Sequence, residues 1–573
     1  MNPASTPAGE PDLDEMRSLI TLFSSGNHPE CERLARGMTE RFPMHGFGWK
    51  ALGLAVMSRK QFAGSLEYLK KAVELLPNDA ETHSNLGIAL HELGQLAEAA
   101  TSLNRALALA PDFVVPCKHL GVIMQKLGRL DDAESFYRRV LALKPDAAEV
   151  YHSLGTVLKD RNALDEAVTC YQRALSIRPD FVDACNNLGN ALRDQGKSVE
   201  AETCYRRALA IQADLAPVHH NLGVVLADQW KLEEAAASYR RALELAPEHV
   251  ESLINLGNTL YEQFRMPEAE DCYRRALALK PDDAAVHNNL GNALSEQWRL
   301  EEATDSFRRA STLDPNLGNA LASLYHCLQS QCQWQTLSRD AERVRAALAN
   351  GVSVPVFALL SFPYDDGQLL RSACALHVQE LLGPLAHLPP LVDPWHHPRR
   401  ERLRIGYVSA DFRNHPVTQL LAAVIEMHDR AGFEVYGYAY GPDTRDEGRQ
   451  RIMGACDVFR DVGKLPDDDS AAWIAQDGID ILLDLSGNTQ HHRIRMLSHR
   501  PAPILVNFSF PGTMGHARVA DYKISDAIAS PPGMANDFSE TLALLPHSQQ
   551  PNDCNRPLGP RPSRREAGLP EAG

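Results

Sequence analysis

Eight Leu-Gly pairs stand 34 residues apart: Leu52-Gly53, Leu86-Gly87, Leu120-Gly121, Leu154-Gly155, Leu188-Gly189, Leu222-Gly223, Leu256-Gly257 and Leu290-Gly291. A period of that length means a repeat array, because one unit cannot bury its own apolar face and must stack on the next. Twelve residues beyond each Gly comes Ala, from Ala99 to Ala303, with Ser65 as the departure. Four further on stand Leu69, Leu103, Tyr137, Tyr171, Tyr205, Tyr239, Tyr273 and Phe307. Pro closes the units, and Ala213 takes its place once. Gly and Ala let two antiparallel helices approach closely, the aromatic fills the gap between them, and Pro stops the second helix.

This is the tetratricopeptide pattern. It predicts an α-solenoid of eight repeats over 46–317, a degenerate cap repeat over 1–45, and a degenerate repeat with a linker over 318–400. Such solenoids present a concave groove to protein or peptide partners. A recurring groove candidate precedes the Leu-Gly pair: Asn85, Asn187, Asn221, Asn255 and Asn289, interrupted by His119 and Ser153. Each amide offers a donor and an acceptor. The ladder suits the backbone of an extended peptide, and it equally suits a link between neighbouring helices of the stack.

Beyond about residue 350 the period is lost. A Pro- and His-rich stretch near 384–402 reads as a solvated linker holding His396 and His397. Short apolar runs then alternate with helical patterns. Strands are predicted at Leu403–Ser409, Phe433–Tyr440, Ile479–Leu485 and Ile504–Phe508, with helices at Val417–His428, 446–456 and Ala471–Gln476. Continuous apolar strands separated by helices mean a parallel sheet covered on both faces, a Rossmann-like α/β lobe over 401–548. Ligands of such sheets bind beyond the carboxyl ends of the strands. The segments falling there are 411–416, 487–489 and 510–515. His415 begins a helix, where it could act as an acid or base, touch a substrate, or simply start the helix. Asp411 either caps that helix, the more ordinary role, or orients His415. The Gly-rich segment after the fourth strand could bring backbone amides to a phosphate. No G-x-G-x-x-G or G-x-x-x-x-G-K-[ST] is present, so dinucleotide and P-loop chemistry find no support. His491 and His492 read as a polar rim.

Charge narrows the partners. The 58 Lys and Arg against 74 Asp and Glu leave a net charge of −16. Nucleic acid and anionic membrane surfaces demand a basic face instead. The longest apolar runs fall short of a membrane span. Eleven cysteines include no C-x-x-C pair. Cys170, Cys204 and Cys272 share one repeat position and read as packing residues, so neither a metal nor a cofactor is expected and a reducing, cytoplasmic setting is.

Repeats followed by LRIGYVSADFRNHP, GIDILLDLSGNT, RPAPILVNFSFPGTMG and DYKISD resemble the O-linked N-acetylglucosamine transferase family. The resemblance covers the repeats and about 402–570. It implies transfer of N-acetylglucosamine from its uridine-diphosphate donor to Ser and Thr of proteins held along the repeats, by a site between two Rossmann-like lobes in the GT-B arrangement. It places His415 in the active site, with Asp411, Asn414, Pro416, Asn488, Thr489, Pro511, Gly512 and Thr513 near substrate or donor, and it assigns the Asn ladder to protein substrates. Three departures stand out. Asn488 replaces a His or Tyr, and Ser509-Phe510 replaces Gly-Tyr before Pro511. The segment 549–573 resembles the lead into a second lobe, so the chain is expected to lack that lobe. A peptide-binding scaffold without catalysis is the alternative expectation.

Overall fold

A computed structural model describes residues 10–546 apart from 360–366, 384–388, 396, 399, 443, 464, 490–491 and 509–511. The chain forms two compact units that divide at Pro247 and Glu248.

The first unit is built of antiparallel helix pairs from α1 (Leu13–Ser24) and α2 (His28–Arg41) to α13 (Ala216–Asp228) and α14 (Leu232–Leu245). The predicted cap over 1–45 is thus a full helix pair. The repeat positions act as their residue types require. A Cβ on Gly223 would lie 2.6 Å from Cε1 of Tyr239, and one on Gly189 equally close to Tyr205. The rings therefore lie on bare backbone, and Tyr137, Tyr171, Tyr205 and Tyr239 are at most 2% exposed. Each closing Pro falls just past its second helix, as Pro77 does after Leu75. Past the first helix of a repeat stands a left-handed residue, filled by Gly94, Gly128 or Gly196, by Lys60 or Asn162, and by Trp230 in the last pair. A bulky side chain in that conformation costs about 1–2 kcal/mol.

The second unit continues the register with three more pairs, α15 (Val250–Glu262) to α20 (Trp334–Ala349). Tyr273 and Phe307 lie on Gly257 and Gly291 as in the first unit. Short α21 (Val356–Leu359) and longer α22 (Gly367–Leu382) lead to the α/β lobe. There β1 (Leu403–Ser409), β2 (Phe433–Ala439), β3 (Val458–Asp461), β4 (Ile481–Asp484), β5 (Ile504–Asn507), β6 (Tyr522–Asp526) and β7 (Thr541–Leu545) form one parallel sheet. Its order is β3-β2-β1-β4-β5-β6-β7. Helices α23 (Pro416–Glu426), α24 (Glu447–Ala455), α25 (Asp467–Gln476) and α26 (Ile494–Ser498) connect the strands. Val408, Tyr438, Leu482 and Leu505 pack on one face, and Tyr407, Val435, Leu483 and Val506 on the other. The four predicted strands are present, and β3, β6 and β7 extend the sheet beyond them. Strand order reverses between β1 and β4, the switch point at which sheets of this topology bind ligands.

The linker is less solvated than predicted. His396 lies outside the described residues. His397 packs its Nε2 at 2.7 Å from Asp480 Oδ1, with its side chain 12% exposed, and Leu391 N donates to His499 O. Asp480 also accepts from Arg404 N at the start of β1, so the linker histidine helps close the sheet's amino edge.

Candidate active site at the strand switch point

A cavity of about 1420 Å³ opens in the second unit at the carboxyl ends of β1 and β4. The segment after β1 supplies Asp411, Arg413, His415 and Pro416, and the segment after β4 supplies Leu485, Ser486, Asn488 and Thr489. Ser486 Oγ accepts from Ala410 N at 3.4 Å and thereby ties the two segments together.

His415, not Asp411, caps α23. Its Nδ1 accepts from Val417 N at 3.3 Å, the side-chain-to-amide bond that begins a helix. Asp411 instead accepts Thr418 Oγ1 on its backbone carbonyl at 2.7 Å, and its Oδ2 lies 3.7 Å from His415 Nδ1. This geometry fixes the neutral imidazole's tautomer. A backbone N–H can only donate, so Nδ1 is the acceptor and Nε2 carries the proton. His415 is therefore a hydrogen-bond donor toward the cavity. Asn414 stays outside the lining: it is exposed, and its Oδ1 accepts from Gly448 N at 2.9 Å to hold the start of α24.

Asn488 donates Nδ2 to Thr513 O at 3.0 Å and approaches Cys374 Sγ at 3.6 Å. Its Oδ1 has no partner among the described residues. Thr489 Oγ1 donates to Ser486 O and closes the turn. Of the Gly-rich segment, Ser509, Phe510 and Pro511 lie outside the described residues. Thr513 is 2% exposed and donates to Glu540, which also accepts from Met514 N at 2.7 Å. Gly515 N donates to Thr513 Oγ1. These two amides are bonded within the fold, while half-buried Gly512 turns the chain at φ 105°.

Other residues escaped sequence reasoning. Helix α22 brings His377 and Glu380 to the cavity. His377 Nε2 meets His492 Nε2 at 3.1 Å, so one ring donates to the other, and burial holds His377 below the usual histidine range. His492 is thus a cavity residue rather than a rim residue; His491 lies outside the described residues. Nothing in the sequence relates α22 to the loop after β4, because only the fold joins them. Beneath the strand ends lies a buried charged group. Asp484 accepts from Ser486 N and Gly487 N at 3.1 and 2.8 Å, and burial pushes its carboxyl up to about 6. Lys523, 2% exposed, is pushed down to about 8 by desolvation, which Glu540 and Asp484 partly offset. Among the described residues no three His, Cys, Asp or Glu gather as a metal site.

The ladder amides face the preceding repeat. Asn221 donates to Asn186 Oδ1 at 3.1 Å, Asn187 shares a 2.9 Å bond with His152 Nε2, and Asn289 donates to Asn258 Oδ1 at 3.0 Å. Asn255 is half-buried, and its carbonyl accepts from Thr259 Oγ1. Asn85 departs from the groove expectation. It is only 8% exposed, and its Nδ2 is buried without a partner among the described residues.

Sequence comparison assigns the lobe. A profile of glycosyl transferase family 41 matches residues 380–556. Over these residues the lobe is similar to that family. Tetratricopeptide-repeat profiles match 56–120, 94–158, 155–196, 183–248, 214–282 and 250–316. The chain is 36% identical over 268 residues to the probable UDP-N-acetylglucosamine–peptide N-acetylglucosaminyltransferase SEC of Arabidopsis thaliana, covering 43% of this chain and 27% of that protein. It is 42% identical over 177 residues to the Caenorhabditis elegans UDP-N-acetylglucosamine–peptide N-acetylglucosaminyltransferase, covering 30% of this chain and 15% of the relative. The alignments thus span less than a third of those relatives' lengths. Among solved structures, an O-GlcNAc transferase mutant of Thermobaculum terrenum is 30% identical, with 58% of each chain covered and a TM-score of 0.44. The family 41 segment takes in the cavity walls that follow β1 and β4, whereas α20 and α21 precede it.

Proposed function

We propose that the chain serves protein O-glycosylation, with the family 41 lobe supplying one side of a site that transfers N-acetylglucosamine from UDP-N-acetylglucosamine to Ser or Thr hydroxyls. The repeats hold the protein acceptor. The observation that carries this reading is the placement of His415 at the β1–β4 switch point of a family 41 lobe, its Nε2–H directed by the cap at Nδ1. In transfer, the acceptor oxygen bonds to the anomeric carbon as the bond to the diphosphate oxygen breaks, and the hydroxyl proton passes to the departing diphosphate. An imidazole that donates from Nε2 suits the oxygen on which negative charge develops. It binds and orients rather than removes the proton. Asn488 Oδ1 suits the acceptor hydroxyl or a sugar hydroxyl as a hydrogen-bond acceptor. The reading includes protein partners in the repeat groove, no nucleic-acid or membrane partner, and a cytoplasmic setting. The described cysteines are free thiols, and no described helix is long and apolar enough to cross a membrane.

The test supplies the second lobe to both parent and His415→Ala and compares them with radiolabelled UDP-N-acetylglucosamine and a mixture of acceptor proteins. Turnover is expected to fall roughly 10²-fold, the scale of one positioned polar group, with the melting temperature held within a few degrees. Equal labelling by both would overturn the role of His415. Absence of label in the parent, with peptide binding retained, would favour the scaffold reading, in which Asn488 binds its own fold rather than a substrate.

A further inference from the structure

In the second unit two successive repeats turn from first to second helix through an aromatic residue. Phe264 has φ 59° and is 82% exposed; Trp298 has φ 59° and is 81% exposed. Left-handed backbone disfavours side chains of this size, and exposed rings on a monomer need an explanation when they recur in register. Packing does not supply one. The turns are held by other groups. Arg265 N and Arg299 N donate back to Leu260 O and Leu294 O. Gln297 Nε2 and Arg299 Nη1 both donate to Glu270 Oε2 of the preceding repeat, at 3.0 and 2.6 Å. The rings project from turns that are already fixed.

Charge says what the rings meet. Residues 262–268 hold two carboxylates against one arginine, and residues 296–302 hold three against one. Both arginines are already engaged: Arg265 binds Glu268 through two bonds of 2.7 Å, and Arg299 binds Glu302 at 2.7 and 2.6 Å. At the neighbouring turns Glu296 is exposed and Glu262 half-buried. Their fields converge on Tyr261, whose hydroxyl is pushed up to about 12, first by burial and then by Glu296 and Glu262. An aromatic face beside a carboxylate is the chemistry that holds an ammonium or guanidinium. Phe264 also belongs to the lining of the cavity that contains His415.

We propose that Phe264 and Trp298, with Glu262 and Glu296, form a docking surface for lysine- or arginine-bearing segments of partner proteins. The surface goes beyond the transferase reading, since docking here requires no transfer and is measured without it.

The experiment uses the full chain and a fluorescein-labelled twelve-residue peptide of alternating Arg and Ser, followed by anisotropy. A Glu-for-Arg peptide serves as control. The Arg peptide is expected to bind saturably and at least tenfold more tightly than the Glu peptide. The double substitution F264G and W298G is expected to weaken it tenfold or more while leaving the melting temperature unchanged or raised, because glycine is what the fold uses at Gly94, Gly128 and Gly196. Phe264→Trp, which keeps a ring, keeps the affinity. E262Q with E296Q weakens binding several-fold and flattens its salt dependence. Undiminished binding by the glycine variant would show that the long-range charge of −16 and not this surface attracts the peptide, and equal binding of both peptides would show that charge plays no part in it. A lowered melting temperature in the glycine variant would mean that the rings hold the turns. Either result overturns the assignment, as does absence of saturable binding.

Discussion

Charged side chains in the repeats pair at the surface, as Arg241 does with Asp214 and Glu244 at 2.6 and 2.8 Å. In the lobe they sit beneath the strand ends, with Asp484 6% and Lys523 2% exposed. The repeats take their stability from many similar apolar contacts between residues close in sequence, each ring on its own glycine. Exposed ion pairs add little there, about 0–1 kcal/mol each. The lobe holds the same sheet together with ionisable groups that resist being charged where they are. A solenoid surrenders little by tolerating substitution at one unit, whereas the lobe concentrates its electrostatics where a substrate would meet it.

The contrast can be broken most forcefully at a repeat ring. Tyr239→Ala should remove about 3–5 kcal/mol, the usual effect of cutting a buried aromatic to Ala. The loss should stay local: amide exchange should accelerate in α13 and α14 and remain unchanged in β1, β4 and β5. Faster exchange throughout the lobe strands would mean that the repeats are not energetically self-contained.

A smaller effect, and one that depends on pH, is expected at Asp484. Its folded carboxyl titrates at about 6 against an ordinary 3.8. The folded chain therefore holds this proton in a range where the unfolded chain has released it. The stability that the group contributes is present below about pH 4 and lost as pH rises through 6. Asp484→Asn removes this dependence, so the variant should gain on the parent as pH rises from 4 to 7, by at most about 3 kcal/mol from a shift of roughly two units at 1.36 kcal/mol each. The lost acceptor for Gly487 N offsets the curve by a constant amount without tilting it. Melting curves across that range decide the matter, and parallel profiles would refute the buried-charge account.

The two regions were unequally legible for the same physical reason. Repeat contacts join residues about 16 apart and recur every 34, so the Leu-Gly register located every helix pair from 46 to 313, and weaker copies of it located the flanking pairs. In the lobe, Leu403–Ser409 was readable as a continuous apolar run. By contrast, Val458-Phe459-Arg460-Asp461 is short and half-buried, and Tyr522-Lys523-Ile524-Ser525-Asp526 places a lysine where an inward apolar residue is expected. The loops holding His415 and Asn488 were legible as strand-end segments. The pairing of His377 with His492 was not, since 115 residues separate them and only packing of α22 brings them together. Likewise Asp411 looked like the ordinary cap, and the backbone gave that place to His415.

The smallest test addresses the ladder, where both readings of the amides survive. In the first unit Asn221 donates to Asn186 Oδ1, Asn186 Nδ2 reaches Asn187 Oδ1 at 3.4 Å, and Asn187 Nδ2 reaches His152 Nε2. The last bond needs a bare Nε2, so His152 is neutral there, in keeping with the burial that holds it below the usual range. Asn221 is the end of this chain of amides, and its removal leaves the remaining bonds intact. Asn221→Ala should therefore lower stability by only about 0.5–1.5 kcal/mol, one neutral hydrogen bond. Calorimetry with an extended Ser- and Thr-containing peptide then separates the readings. If the amide only links repeats, affinity is unchanged once the fraction folded is accounted for. If it also grips a peptide backbone, the single variant loses several-fold in affinity, and Asn187, Asn221 and Asn255 replaced together lose tenfold or more. Asn85→Ala supplies the control within the same experiment. Its amide is buried, so the substitution should leave peptide binding alone whichever reading holds for the other rungs.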